Sequence, residues 1–178
     1  RAVLNYRSEY REISIKLGLE VDFVPGWEQE IERIGRMYPW DYLIGSVHFF
    51  PEWNYGYIPY EKEHPPAEIY PKYFEKVAEA AETGLYDFLG HIDLPKRTFP
   101  ALEPEVMTEL YRDLAQRLGR AGAVIELNTY GIRCGVGIYP DSQLLEYCRE
   151  QGVRVTLGSD SHRPKDVGSG LAEAVDLM

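Results

Sequence analysis

Short apolar runs rich in β-branched and aromatic residues alternate along this chain with longer segments of helical periodicity. Such alternation is typical of repeated βα units, whose apolar strands form a parallel sheet covered on both faces or closed into a barrel. The predicted strands are 19–24, 42–49, 86–92, 123–128 and 153–158. The pattern therefore predicts an α/β protein with a parallel sheet.

Helical segments are predicted between these strands, at 2–17, 27–37, 66–83, 104–120 and 141–151, with another after Lys165. A closed βα barrel usually has about eight strands, so five strands indicate either an open sheet or a barrel whose first strands are missing. The chain begins with Arg1 and enters a helical pattern at once, which favours a native start before this residue. Residues 1–178 are predicted to form a single domain.

The charge balance excludes one large class of partners. The 178 residues include 19 Lys and Arg against 29 Asp and Glu, a formal net charge of −10. Proteins that bind nucleic acid neutralise its phosphates with basic patches, and no such patch is present, so we expect no nucleic acid partner. The longest uncharged apolar stretch, 42–50, is much shorter than the ~20 residues of a membrane helix. With only two cysteines, we expect a cytoplasmic protein without a membrane partner; its oligomeric state is not indicated.

Residues that bind metals lie at the carboxyl ends of the predicted strands, where parallel α/β proteins bind their ligands. Imidazoles and carboxylates from separate strands can together hold zinc, manganese or iron. Glu20 lies among apolar residues of the first strand, where an unpaired carboxylate would be costly, so its partner is either a metal or an arginine. The strand-end residues are His48, His91, Asp93, Glu126, Asn128, Asp160 and His162.

Other interpretations remain for these residues, since a single histidine at a strand end is more often a hydrogen-bonded structural residue than a ligand. Competing chemistries have weaker support. The sequence contains no GxSxG nucleophile elbow and no GxxxxGK[ST] phosphate loop. Cys134 has no evident base nearby in the sequence, and a structural role is the better interpretation.

The segment 50–65 is the least regular part of the sequence and carries the aromatic residues Trp53, Tyr55, Tyr57 and Tyr60. A long irregular segment in a compact domain is usually either functional or disordered. The aromatic residues favour a lid or substrate wall, although a purely structural cover is an equal alternative.

Five motifs in order resemble the polymerase and histidinol phosphatase (PHP) superfamily, and most closely its histidinol-phosphate phosphatases. They are GLEVD (18–22), GSVHF (45–49), GHIDLPKR (90–97), ELNTYGIR (126–133) and GSDSHRPKDVG (158–168). The resemblance implies a distorted seven-stranded TIM-like βα barrel with up to three divalent metal ions, zinc, manganese or iron, at its carboxyl rim. It also implies hydrolysis of L-histidinol phosphate to L-histidinol and phosphate, in histidine biosynthesis.

The resemblance also implies roles for individual residues. Five are expected to be both metal ligands and catalytic residues: Glu20 bridging two metals, His48 and His91 on the second metal, Asp160 on the first, and His162 on the third. Arg97 and Arg133 resemble the clamp for the substrate phosphate, a task suited to the bidentate guanidinium group.

One departure from the family pattern is large. The family opens with an HxH motif and further histidine ligands, which this sequence lacks. We therefore expect the sequence to be the C-terminal portion of a larger barrel. Two alternatives remain open: a PHP-type phosphoesterase with another small phosphorylated substrate, or a non-catalytic barrel that has lost its metal site.

Overall fold

A computed structural model of the chain describes residues 2–51, 56–58 and 63–178, with the backbone alone at 56 and 57. The aromatic side chains that the sequence suggests for a lid, those of Trp53, Tyr55, Tyr57 and Tyr60, lie outside the described residues.

The strands are β1 (Gly18–Asp22), β2 (Tyr42–Ser46), β3 (Phe49–Phe50), β4 (Gly56–Tyr57), β5 (Phe88–Leu89), β6 (Val124–Asn128) and β7 (Arg154–Gly158). Five of them are parallel and form the main sheet, in the order β1-β2-β5-β6-β7. Because all five run in the same direction, their carboxyl ends lie along one rim. A separate antiparallel pair, β3 and β4, follows the end of β2.

The helices are α1 (Ala2–Glu9), α2 (Glu28–Arg36), α3 (Pro66–Thr83), α4 (Pro104–Ala121), α5 (Tyr130–Arg133), α6 (Ser142–Glu150) and α7 (Leu171–Val175). Short 3₁₀ turns lie at Leu94–Arg97 and Pro164–Asp166. Both α3 and α4 begin with proline, whose fixed φ suits the first turn of a helix. The Asp141 carboxylate caps α6 by accepting the backbone N–H of Gln143 at 2.9 Å.

The hydrophobic core lies where α3 and α4 pack against each other and against the centre of the sheet. Ile125 of β6 is completely buried, as are Ile69 and Tyr73 of α3 and Leu118 of α4. This packing supports the central strands, so the residues that follow them start from a rigid base.

The predicted α/β architecture with a parallel sheet is confirmed, but three predicted elements are too long. The strand predicted at 42–49 ends at Ser46, and Phe49 belongs to β3 instead. The helix predicted at 2–17 ends at Glu9; it buries no residue, so no packing offsets the entropy cost of extending it. The strand predicted at 86–92 is reduced to Phe88–Leu89. It stops because His91 adopts φ = 26°, in the left-handed region, which is incompatible with a continuing strand.

Within the described ranges, no helix combines the length and the hydropathy needed to cross a bilayer.

Candidate metal centre

A cleft of about 240 Å³ opens at the carboxyl rim of the sheet. It is lined by Glu20, His48, Phe49, His91, Leu94, Arg97, Tyr130, Tyr139, Asp160 and His162. Six of the seven predicted site residues are in this lining, and Arg133 is not. Residues spread over more than 140 positions of sequence thus meet at one site because the parallel strands end together.

The closest cluster in the cleft consists of Glu20, His48 and His91, whose possible ligand atoms all lie within 4.8 Å of one another. Oε1 of Glu20 lies 3.2 Å from Nε2 of His91 and 3.7 Å from Nε2 of His48. Two imidazoles and a carboxylate are a donor set that suits zinc and related divalent metals. Nε2 of His91 is the ring nitrogen that faces Glu20, and the buried Nδ1 on the other side of the ring has no hydrogen-bond partner among the described residues.

Contact between Glu20 and His91 shifts the pKa values of both residues. The hydrogen bond from His91, together with that from Ser46 Oγ at 2.5 Å, outweighs partial burial and lowers the pKa of Glu20 to about 2. Burial of His91 opposes its charged form, but the hydrogen bond and negative charge of Glu20 raise the pKa of His91 above its ordinary value. Without a metal, the positive partner of the Glu20 carboxylate is therefore the His91 imidazole.

The Glu20–His91 pair is expected to stabilise the metal-free chain only within a pH window. The lowered pKa of Glu20 gives a contribution that is present above 4.5 and is lost as the pH falls towards 2. The raised pKa of His91 gives a contribution that is present below 6.5 and is lost as the pH rises through the raised value. The difference in unfolding free energy between the wild type and Glu20→Gln should therefore be largest between pH 4.5 and 6.5.

We expect this difference to be on the order of 1 kcal/mol, because the pair is charge-assisted but Glu20 is partly exposed to solvent. Urea unfolding of both proteins with a chelator present, across the pH range, would measure it. A difference that stays constant from about pH 3 to about pH 8 would contradict this assignment.

His48 is held from behind by Asp22, at the end of β1. Oδ1 of Asp22 accepts the backbone N–H of His48 at 2.9 Å and lies 3.0 Å from its Nδ1. The His48 and His91 rings meet nearly edge to face, with centroids 4.9 Å apart. Both imidazoles are therefore fixed against each other on one side of the cleft.

Asp160 reaches the cleft from the turn after β7. Its side chain is mostly covered and Oδ2 lies 3.4 Å from Nδ2 of Asn128, which also donates to Oε2 of Glu126 at 2.7 Å. Burial raises the pKa of Glu126, and the bond from Asn128 partly opposes that shift. His162 is largely exposed at the outer edge, with Nδ1 3.1 Å from the backbone oxygen of Asp160.

Two residues of the site have strained backbones. His91, with φ = 26°, and Asp160, with φ = 45°, are the non-glycine residues with positive φ in the part of the chain that the structure describes. Such conformations cost about 1–3 kcal/mol each and persist where surrounding contacts hold them, often at functional sites. Both strained residues are predicted metal ligands, so the strain is concentrated at the proposed centre.

The two predicted phosphate-binding arginines lie near the same aromatic ring, that of Tyr130. The guanidinium carbon is 5.4 Å from the ring centroid for Arg97 and 4.8 Å for Arg133. Nη2 of Arg133 donates to the backbone oxygens of Ser159 and Asp160 at 2.6 and 3.0 Å. Its Nη1 is buried and has no hydrogen-bond partner among the described residues. The Nη2 side of this guanidinium thus supports the Asp160 turn, and the Nη1 side is a buried hydrogen-bond donor.

Arg97 is placed by the 3₁₀ turn Leu94–Arg97, which an ion pair beneath the cleft secures. Nζ of Lys96 lies 2.9 Å from Oδ2 of the fully buried Asp93 and donates to the Ile138 carbonyl at 2.6 Å. The Asp141 backbone N–H donates to the same Asp93 oxygen at 2.6 Å. Lys96 is therefore engaged in structure, and Arg97 is the cation of this turn that lines the cleft.

Sequence reasoning missed several contributors to the site. Asp22 lies two residues after Glu20, and Ser46 lies two residues before His48. The period of two in a strand was therefore the available signal for both. Tyr130 lines the cleft from the start of α5 and Tyr139 from the loop after that helix, and nothing local distinguishes them from core aromatic residues.

Comparison with known proteins shows the family to which the chain belongs. A model of the PHP domain family matches residues 2–130. A Deinococcus radiodurans protein named probable histidinol-phosphatase is 36% identical over 92% of this chain, and a Bacillus subtilis histidinol-phosphatase is 32% identical over 91%. The chain spans 63% of the length of the first protein and 69% of the second.

Solved structures agree on the fold. A candidate histidinol phosphatase of Listeria monocytogenes superposes with a TM-score of 0.84 at 23% identity, over 97% of this chain and 73% of that one. The Lactococcus lactis histidinol phosphate phosphatase, solved with zinc, L-histidinol and phosphate, has a TM-score of 0.75 at 20% identity, over 99% of this chain and 72% of that one. These matches agree with the predicted distorted barrel architecture, and the chain belongs to the PHP domain family, within it to the histidinol-phosphatase type.

Proposed function

We propose that the chain carries the centre of a metal-dependent phosphomonoesterase that hydrolyses L-histidinol phosphate to L-histidinol and phosphate. The observation that carries this proposal is the convergence of Glu20, His48 and His91 within 4.8 Å at the floor of a rim cleft. The substrate is supported by the names of the relatives and by the ligands of the Lactococcus lactis protein.

The metal ligands of this proposal are Glu20, His48, His91, Asp160 and His162, which all line the cleft. Zinc, manganese or iron suits this set of imidazoles and carboxylates, and up to three ions would bind in the intact protein. When bound, such ions lower the pKa of coordinated water and neutralise charge on the phosphoryl oxygens. The five residues would hold the ions and so act as the catalytic residues of the reaction.

Arg97 and Arg133 would bind the phosphate beside the metal ligands, Arg97 from the lining of the cleft and Arg133 from its position against the Asp160 turn. Both guanidinium groups contact the Tyr130 ring, which restricts their orientation. Nη1 of Arg133 is a buried donor without a partner among the described residues, so an entering phosphate oxygen would satisfy it. With a net charge of −10, the protein needs such local cations to attract an anionic substrate.

Replacing Arg97 by Ala is expected to raise KM for the phosphomonoester by about 10- to 100-fold, since hydrogen bonds to charged groups contribute about 1.5–3 kcal/mol each. Metal content should not change, because a guanidinium cation has no free lone pair with which to bind a metal ion. Arg97→Lys should recover part of the loss, since Lys keeps the charge without the bidentate geometry. Steady-state kinetics with elemental analysis would measure both effects; a loss of metal in Arg97→Ala would contradict the assignment.

Phosphate release from a panel of phosphomonoesters, with and without added zinc or manganese, tests the proposed activity. We expect metal-dependent turnover with L-histidinol phosphate preferred over the other compounds. Preference for a different phosphomonoester would replace the substrate but keep the reaction class. Stoichiometric metal binding without any turnover would point to a binding domain instead.

We also infer that residues 1–178 form one domain, and that the protein acts in the cytoplasm on a small-molecule substrate, with neither nucleic acid nor a membrane as partner. The continuous five-stranded parallel sheet supports a single domain, and the acidic charge argues against a nucleic acid partner.

A further inference from the structure

Asp22 has two short contacts with one proposed ligand. Its carboxylate oxygen Oδ1 accepts the backbone N–H of His48 at 2.9 Å and lies 3.0 Å from the ring nitrogen Nδ1 of the same residue. The register of the sheet explains this geometry. Asp22 is paired with Ser46 across β1 and β2, so its side chain reaches the residue two positions beyond.

These contacts determine which nitrogen of His48 carries hydrogen. An ionised carboxylate can accept hydrogen bonds but cannot donate them, and a neutral imidazole carries hydrogen on only one of its two nitrogens. Nδ1 is therefore the donor to Asp22, and Nε2 keeps its lone pair. It is Nε2 that faces the cluster, 3.7 Å from Oε1 of Glu20.

His91 provides a contrast inside the same cluster. Its Nε2 also faces Oε1 of Glu20, at 3.2 Å, but its Nδ1 has no hydrogen-bond partner among the described residues. Among the described contacts of the two histidines, only the His48 ring thus has a carboxylate, that of Asp22, at its Nδ1. An effect of Asp22 on metal binding should for this reason pass through His48 and leave the His91 contribution intact.

We propose that Asp22 is a positioning residue that holds His48 in the Nδ1–H tautomer and directs its Nε2 to the metal. This inference deepens the proposed function and rests on its metal centre. A carboxylate behind a ligating imidazole fixes the orientation of the ring and raises its basicity. Loss of such a partner typically lowers metal affinity by about 10- to 100-fold, and we expect a loss in this range for Asp22.

Zinc titration against a chromophoric chelator tests the proposal with four proteins: wild type, Asp22→Ala, His48→Ala and the double variant. Asp22→Ala should weaken zinc binding by about 10- to 100-fold in the wild-type background. In the His48→Ala background it should add less than about twofold, because the residue through which Asp22 acts is gone. Asp22→Asn should recover most of the affinity, since its amide oxygen still accepts from Nδ1–H. Asp113→Ala, at an exposed position of α4, is the control and should have no effect.

Nitrogen-15 NMR of the metal-free chain supplies a readout that general destabilisation would not produce. In alkaline solution, where imidazole groups are neutral, His48 should be the Nδ1–H tautomer in the wild type and in Asp22→Asn. In Asp22→Ala it should become a mixture of the two tautomers.

An equal loss of zinc affinity in both backgrounds, or an unchanged tautomer in Asp22→Ala, would overturn the proposal. Loss of one whole zinc equivalent in Asp22→Ala would instead make Asp22 a ligand, which also overturns it. If the wild-type chain binds no zinc, the proposed metal centre fails, and the tautomer measurement still decides the role of Asp22.

Discussion

Glu20→Gln is expected to lower metal affinity by more than about 100-fold, beyond the effect of losing an orienting partner, and to remove metal-dependent phosphate release. The substitution keeps the shape of the side chain but removes the charge that faces both imidazoles, at 3.2 and 3.7 Å. The amide oxygen of the glutamine can still accept the hydrogen bond from Ser46 Oγ, so the fold should be preserved. Elemental analysis and phosphate release would measure the two effects.

The matched control is Glu150→Gln, at an exposed position at the end of α6. It removes the same charge far from the cleft and should leave metal content and turnover unchanged. Retention of the full metal complement by Glu20→Gln would show that the carboxylate is not a ligand. The site would then have to be built on the histidines and Asp160 alone.

Gly158→Ala is expected to destabilise the protein by about 3 kcal/mol, at the upper end of the usual range for overpacking. A Cβ at this position would lie 1.7 Å from Oε1 of Glu126 and 2.6 Å from its Cδ. Glu126 is buried and bonded to Asn128 at 2.7 Å, so it has little room to move. Because Gly158 lies two residues before Asp160, the clash should also disturb the turn that carries this ligand.

Glu126→Ala supplies the background that distinguishes this steric cause from a general intolerance of β7 to substitution. With the Glu126 side chain removed, the added methyl group has space, so Gly158→Ala should cost much less there. Urea denaturation of the four proteins gives the double-mutant cycle. An equal cost in both backgrounds would show that the close approach to Glu126 is not the cause.

The architecture and the rim were predictable because both depend on local patterns. Apolar runs of strand length alternating with helical segments indicate parallel strands, and such strands must end along one edge. Residues placed directly after a strand, such as His48 and Asp160, are therefore brought together whatever the details of packing. The candidate residues that line the cleft follow from this rule.

Features that depend on tertiary contacts were not predictable in the same way. The positive φ of His91, which ends β5 early, is imposed by its surroundings rather than by its own preference. Nη2 of Arg133 donates to two backbone carbonyls, whereas Nη1 has no partner in the part of the chain that the structure describes, and no sequence motif encodes this difference. The second contact of Asp22 likewise depends on the register between β1 and β2.

Anomalous diffraction at the zinc edge, from crystals of the protein grown with zinc, is the most direct test of the metal centre. The predicted result is an anomalous peak among the ligand atoms of Glu20, His48 and His91, the cluster whose members lie within 4.8 Å of one another. Zinc bound only elsewhere on the surface, or no peak in this cluster at saturating zinc, would contradict a metal site built from these three residues.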